Sequence, residues 1–269
     1  MKADIIWLGS TDSTNKEAKR HISEIDNLSV LSAFWQTSGR GQRGNTWSSE
    51  AGENLTFSII LKFPEPESNL SEENPLKSIR AYDQFVLTEI ASLSVVKFLS
   101  DYGVQAKIKW PNDIYVGSRK ICGMLIENSV RGELLSSSII GIGLNINQRN
   151  FDVNIPNPTS LAILSSSEGF DIRRCLEKFI DIFLTYLERY MTAGTEEDTR
   201  AGYMDLRKEY LENLWLLDTP STFIDLRSGE REFRGIIRGL SPFGLLQIED
   251  IEKGAPDEYA FKEIGYIIR

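Results

Sequence analysis

Histidine is almost missing from this chain. Among 269 residues there is one, His21, in the polar stretch behind "STNKEAKR". A lone histidine in such surroundings reads as a surface residue. Its scarcity counts against serine or cysteine hydrolysis through a histidine base and against a zinc site built on histidines or paired cysteines. The two cysteines, Cys122 and Cys175, form no pair motif and read as packed thiols of a reducing compartment. No apolar run approaches the ~18–20 residues of a membrane span. The opening "MKADIIWLGSTDSTN" lacks a signal-peptide core and cleavage site. The chain therefore reads as cytoplasmic, with no membrane contact. Positive charge is also in deficit: 30 Lys and Arg against 39 Asp and Glu leave a net charge of -9. That balance disfavours a general nucleic-acid binder, so any bound anion must meet a local cationic cluster. An enzyme of this composition works with Lys, Arg, Asp, Asn and backbone amides.

The patterning predicts alternating strands and helices. "DIIWLG" (Asp4–Gly9), "NLSVLSAFWQ" (Asn27–Gln36) and "NLTFSIIL" (Asn54–Leu61) read as strands. The last is apolar on both faces and so buried. Asp12, Ser13 or Thr14 is placed to cap a helix from Lys16. The proline- and charge-rich Phe63–Ser78 reads as an exposed excursion. Asp83–Tyr102 has helical apolar spacing, and four strands then follow at Ala106–Trp110, Asp113–Val116, Lys120–Asn128 and Ser136–Ile146. Two helices are expected at Ile172–Met191 and Glu196–Asn213. After Leu217 short strands broken by Gly, Pro and Asp suggest a small β-barrel or sandwich. This order predicts an α+β main domain over residues 1–214 and a β domain over 215–269.

Four clusters carry chemistry. "DSTN" (Asp12–Asn15) gathers short polar side chains at a strand-to-helix turn. It reads either as a helix cap or as donors and acceptors for a buried polar ligand. "SGRGQRGNTW" (Ser38–Trp47) joins glycines, which permit close backbone approach, to Arg40 and Arg43, whose planar forks suit phosphate or carboxylate. Trp47 offers a flat face to a purine. A solvated surface loop is the plainer alternative. "KWPND" (Lys109–Asp113) packs a cation, a rigid turn, an amide and a carboxylate together, and Lys120 follows at a strand head. Asn112 and Asp113 also suit an ordinary turn. "GIGLNIN" (Gly141–Asn147) places two glycines in an apolar strand, where a ligand or another backbone can approach.

Taken in order, "DSTN", "GRGQRGNTW", "KWPND", "RKICGMLIE" and "GIGLNIN" resemble the biotin protein ligases, strongly over about Ile5–Asn147 and weakly beyond. The resemblance implies a mixed or antiparallel sheet with flanking helices, as in class II synthetase-like biotin and lipoate ligases, plus a small SH3-like β-barrel. It implies an ATP- and Mg²⁺-dependent ligase that forms biotinyl-5′-AMP and biotinylates a lysine of a biotin carboxyl carrier protein of acetyl-CoA carboxylase or another carboxylase. Ser13, Thr14, Asn15 and Gln36 resemble biotin-pocket positions, Gly39, Arg40 and Gly41 a loop over biotin and phosphate, and Gly123 a glycine against biotin. Trp47 and Asn145 resemble the residues on either face of adenine, and Asn112 and Asp113 a turn beside the reacting centre. Lys120 resembles the lysine that contacts the biotin carboxylate and α-phosphate. Lys120, Arg40 and Asp113 are the expected catalytic residues, with Arg43 compensating for Gln42 where many members have Arg. Which residues would hold the metal is left open. The repressor relatives carry an N-terminal DNA-binding domain; with "DSTN" at residue 12 none is expected here, nor is DNA binding. A homodimer is one expected assembly. A lipoate–protein ligase and a non-catalytic biotin-binding regulator are the alternatives.

Overall fold

The computed structural model describes residues 1–64, 76–191, 196–227 and 229–267, without the side chains of Arg43 and residues 196–199. A seven-stranded sheet organises the first part of the chain, with strand order β1-β2-β3-β7-β6-β5-β4. Its strands are β1 (Asp4–Thr11), β2 (Ser29–Gln36), β3 (Leu55–Lys62), β4 (Lys107–Lys109), β5 (Asp113–Val116), β6 (Arg119–Arg131) and β7 (Leu134–Leu144). Only β1 and β2 pair in parallel. They are joined through the helix α1 (Thr14–Arg20), the crossover that a parallel pair requires. The hairpins β5–β6 and β6–β7 turn through two-residue loops that open on Gly117 and Gly132, both at φ 61. That left-handed backbone suits glycine and matches the twist of adjoining strands.

Alternation along the central strands buries both faces. Val30, Ile59, Leu61 and Ile140 join a large core with α2 (Phe85–Ser100) and α4 (Ile172–Met191). Leu31, Ile60 and Ile139 point the other way, onto Ala18 of α1. Helix α4 presents Cys175, Leu176, Phe179, Ile180, Phe183 and Leu187 to the core at helical spacing, and Phe179 meets Phe57 with ring centres 5.2 Å apart. Helix α5 (Glu196–Glu212) packs on α2, and a short α3 (Leu161–Ser165) precedes α4.

A second, antiparallel sheet follows, in the order β11-β10-β9-β8-β12. It comprises β8 (Ser221–Asp225), β9 (Arg231–Leu240), β10 (Leu246–Asp250), β11 (Ala255–Tyr259) and β12 (Ile264–Tyr266). Its core residues Phe223, Phe233, Ile237, Ile248 and Tyr259 are continuous with the main core. Trp110 Nε1 donates to the Gly244 carbonyl at 2.9 Å, and Gly244 lies so close to Phe85 that a Cβ would sit 2.4 Å from that ring. The mixed sheet, flanking helices and added antiparallel sheet agree with the α+β architecture expected from the sequence.

Three local expectations are corrected. Helix α1 starts at Thr14 rather than Lys16, and its N-cap Ser13 makes no side-chain capping bond. Helix α2 starts at Phe85, after a 3-10 turn at Ala81–Asp83. Of the expected exposed excursion, residues 65–75 lie outside the described residues, while Phe63 and Leu76 on either side of them are buried in the main core. Cys122 and Cys175 are free, buried thiols. Among the described residues no helix is long and apolar enough to cross a membrane.

Candidate active site

Where β6 and β7 leave the shelter of α1, their upper face carries Gly123, Gly143 and Gly141 instead of side chains. The ladder pairs Gly123 with Gly143 and Leu125 with Gly141. A Cβ at Gly141 would stand 2.2 Å from Asn15 Oδ1, and one at Gly143 would stand 2.2 Å from the Trp47 indole. The glycines therefore admit polar and aromatic groups onto the sheet itself. Above them opens a cavity of about 240 Å³, bounded by α1, the Arg40–Trp47 loop, the Trp110–Asp113 turn and the end of β12.

One end of the cavity is a polar cage. Ser13, Thr14 and Asn15 are all buried. Gln36 Oε1 accepts from the Thr14 amide at 2.8 Å and from its hydroxyl at 3.2 Å. Asn15 Nδ2 donates to the Leu125 carbonyl at 3.1 Å and to Glu127 Oε2 at 2.9 Å. Ser58 Oγ lies 2.7 Å from Thr14 Oγ1 and 2.6 Å from Asn15 Oδ1. Arg40 Nη1 reaches Glu127 Oε1 at 3.4 Å. Only Asp12 of "DSTN" turns away, to a bidentate pairing with Arg20 at 2.8 and 3.2 Å.

Ser58 and Glu127 are the cage residues that motif reading missed. Glu127 had a signal: it follows Gly123 and Leu125 at the two-residue period that keeps side chains on one face of β6. Ser58 had none, because the β3–β7 register brings it to Gly141.

The middle of the cavity is ionic. Lys120 Nζ lies 2.7 Å from Asp113 Oδ1, with both side chains partly buried. Asp113 opens β5 opposite Gly123, and a bulge between Ile114 and Tyr115 resets the register toward Lys120. The Lys120 backbone is held by the Asn157 carbonyl at 2.7 Å and the Thr159 amide at 2.9 Å. Asn112 lines the cavity while its amide donates to the Met124 carbonyl, and Met124 N–H returns a bond to the Asn112 carbonyl at 3.0 Å. That pair pins the turn to β6. The Trp110–Pro111 peptide within it is cis.

The arginine loop is a small hairpin rather than an open nest of amides. Gly41 N–H donates to Asn45 O at 2.7 Å, and Trp47 N–H to Gly39 O at 3.0 Å, around a 3-10 turn at Gln42–Gly44. Those two amides are used within the loop. Trp47 lays its indole on Gly123 and Gly143, 5.8 Å from Lys120 Nζ, with Nε1 buried and unpartnered.

Most of the expected site residues converge. Ser13, Thr14, Asn15, Gln36, Arg40, Gly41, Trp47, Asn112, Asp113, Lys120 and Gly123 all line the cavity. Gly39 and Asn145 do not. Gly39 sits where the loop crosses itself, its Cβ position 2.3 Å from the Trp47 carbonyl. Asn145 donates to the Thr159 carbonyl at 2.9 Å and accepts from the Leu161 amide, holding α3 against the end of β7. The Arg43 side chain lies outside the described residues. Among the described residues no group of three His, Cys, Asp or Glu is arranged to hold a metal.

A cage for a neutral polar group, a lysine and an arginine beside it, and a glycine floor under an indole suit an acyl-adenylate. The comparisons agree. The model of the biotin/lipoate A/B protein ligase family matches residues 7–145, over half of the chain. Biotin–protein ligase 2 of Arabidopsis thaliana is 31% identical over 245 residues, covering 90% of this chain and 68% of that protein. The chain belongs to the biotin protein ligases. The biotin–[acetyl-CoA-carboxylase] ligase of Paracoccus denitrificans is 26% identical, over 89% of this chain and 91% of its own. Among solved structures, the biotin protein ligase of Aquifex aeolicus in complex with biotin and ATP superposes with a TM-score of 0.73 at 25% identity, covering 97% of each chain.

Proposed function

We propose that this biotin protein ligase activates biotin with ATP as biotinyl-5′-AMP, releases pyrophosphate, and passes the acyl group to a lysine of a biotin carboxyl carrier protein. The observation that carries this reading is the adjacency of the cage (Thr14, Asn15, Gln36) to Lys120 in one cavity. A ring urea offers two N–H donors and a carbonyl acceptor, and the cage supplies oxygens and donors at matching reach. A dithiolane, the head of lipoate, has neither N–H donors nor a carbonyl and would make none of those bonds. That disfavours the lipoate alternative.

The carboxylate at the other end of biotin is ionised at neutral pH and needs no base. It attacks the α-phosphorus, and Lys120 and Arg40 neutralise the charge that develops there. Mg²⁺ enters on the triphosphate as part of the substrate. Among the described residues Asp113 is the one carboxylate on the lining, which fits a cation carried in rather than a resident one. In the second step a carrier lysine attacks the acyl carbon. Its amine is mostly protonated at pH 7, and Asp113 orients it and accepts the proton. Trp47 supplies the face for adenine.

Acetyl-CoA carboxylase, the acceptor named for the Paracoccus relative, is the proposed source of the carrier domain. Residues 1–214 form the catalytic unit of this reading and residues 215–269 a small β unit that closes one side of the site. A homodimer in the cytoplasm completes it, and velocity sedimentation tests the assembly. The function is tested by incubating the chain with labelled biotin, Mg-ATP and a carrier domain. Label on the carrier lysine is expected; its absence beside an active reference ligase rejects the proposal.

A further inference from the structure

The mechanism leaves a buried ion pair of the fold without a task. Glu89 of α2 is 2% exposed and accepts from Arg207 Nε of α5. Taking two charges out of water costs about what their attraction returns, and an apolar pair of similar volume often holds a core as well. What else the pair grips is therefore informative. Arg207 Nη1 donates to the Ser241 carbonyl at 2.7 Å, on the turn between β9 and β10. The same guanidinium lies 5.6 Å from the centre of the Phe85 ring.

The Ser241 carbonyl sets that turn. It also accepts from the Gly244 amide at 2.9 Å, and Ser241 N–H donates to the Leu245 carbonyl at 2.8 Å. Pro242 and Gly244 stand at the second and fourth places, where such a turn favours proline and glycine. Gly244, at φ 83, rests on the Phe85 ring. Held there, its carbonyl receives Trp110 Nε1 at 2.9 Å. Trp110 is buried, lines the cavity, and stands three residues before Asp113. Helix α5 reaches the same catalytic turn a second time. Tyr210, three residues on from Arg207 and so on the same helix face, donates its hydroxyl to the Pro111 carbonyl at 3.4 Å. On the inner side Asn112 is bonded to Met124 of β6. The Trp110–Asp113 turn is thus gripped from two sides, by β6 and by α5 with the β9–β10 turn.

We infer that Arg207 positions Asp113 for the transfer step, acting through the Ser241–Leu245 turn and Trp110. The inference rests on the role given to Asp113 in the proposed function. Arg207 is not among the residues that line the cavity, so its effect is on geometry alone. Geometry is enough: a displacement of about 1 Å in a group that must meet an attacking amine costs up to ~100-fold in rate.

The test uses the full chain and reaches the link from both ends. Glu89→Leu combined with Arg207→Met removes the pair without stranding a buried charge, so the melting temperature should stay close to that of wild type. Trp110→Phe keeps a ring beside Phe261, whose centre lies 6.4 Å away, and removes the donor. Each should slow single-turnover transfer from purified biotinyl-AMP to the carrier by roughly 10- to 100-fold. The deficit should be largest at low pH, where less of the amine is free. Biotin affinity, set by the cage, should not change. Combining the three substitutions should add little, because both ends serve one link. Unaltered transfer in the folded variants overturns the proposal. So does full additivity, and so does a loss of biotin affinity that matches the loss of transfer, since that marks general damage. Wild type runs alongside. If it transfers nothing, the proposed function fails; if it transfers and the variants match it, only the link from Arg207 fails.

Discussion

Lys120 and Asp113 neutralise each other across 2.7 Å, so the residue assigned to phosphate and the residue assigned to the carrier amine form one ion pair. A phosphate arriving at Lys120 competes with Asp113 and frees its carboxylate. On the proposed mechanism this orders the chemistry, because Asp113 becomes available for the amine only once the adenylate occupies Lys120. Lys120→Ala should then raise the adenylation barrier by ~2–4 kcal/mol with the fold intact. Exchange kinetics alongside a thermal melt check this. Near-normal exchange by a folded variant would make Lys120 a partner of Asp113 and nothing more.

Asp113→Asn should show the opposite division. Lys120 keeps a neutral hydrogen-bond partner, so the adenylate still forms. The attacking amine loses its anionic neighbour, and single-turnover transfer from purified biotinyl-AMP should slow, most at low pH where less of the amine is free. Identical transfer rates for variant and wild type across pH would remove Asp113 from this role.

Gly141→Ala tests the cage without touching a charge. The new methyl would stand 2.2 Å from Asn15 Oδ1, closer than any tolerable contact. Asn15 must move, and with it the bonds to Leu125, Glu127 and Ser58. An overpacking cost of about 1–3 kcal/mol should appear as weaker biotin binding in calorimetry. An unchanged Kd would mean that Asn15 is not part of the biotin pocket.

In the C-terminal sheet Asp225 accepts from Arg227 Nη2 at 2.7 Å and from Arg227 Nε at 3.1 Å. That guanidinium lowers the Asp225 pKa from its ordinary 3.8 to about 2. A depressed folded-state pKa contributes stability above 3.8, and that contribution is lost as pH falls through about 2. Chemical denaturation should lose about 2 kcal/mol at most from this source over that window. Asp225→Asn, which cannot titrate, should flatten the slope. Parallel profiles for the two proteins would show that the pair does not couple to folding.

How much of this was legible in sequence depends on the range of the contact. Apolar alternation marked β3 as doubly buried, and helical spacing marked α4, because both signals are local. The motifs marked Thr14, Asn15, Lys120 and Asp113 because residue type and order survive without coordinates. Register is not local. Ser58 reaches the cage through the β3–β7 ladder, and Tyr266 reaches Lys109 from the far end of the chain. The local sequence does not show that Asn145 donates through Nδ2 to Thr159, fourteen residues on, while its Oδ1 stays buried and unpartnered. The amides of Gly41 and Trp47 close the arginine loop on itself, a pairing that its glycine spacing does not reveal.

That self-closure reshapes what is expected of the Arg40–Trp47 loop. Gly41 and Trp47 amides are already bonded, so their hydrogen exchange should be slower than that of neighbouring loop amides even without biotin. Among the described residues, what the loop lacks is a partner for the Trp47 Nε1 and a second anion for Arg40, which meets Glu127 at 3.4 Å. Biotinyl-AMP offers a phosphate to Arg40 and a purine to the indole. Its binding should lift the whole loop into slow exchange and protect it from proteases, while excluding the water that would hydrolyse the mixed anhydride. Arg40→Gly removes the phosphate contact and leaves the hairpin bonds, so its loop amides should keep their basal protection but gain little from the ligand. The adenylate would then escape early, and free biotinyl-AMP would label bystander lysines in a mixture with an unrelated protein. Full ligand-induced protection in Arg40→Gly, with no bystander labelling, would show that the loop does not retain the intermediate through Arg40.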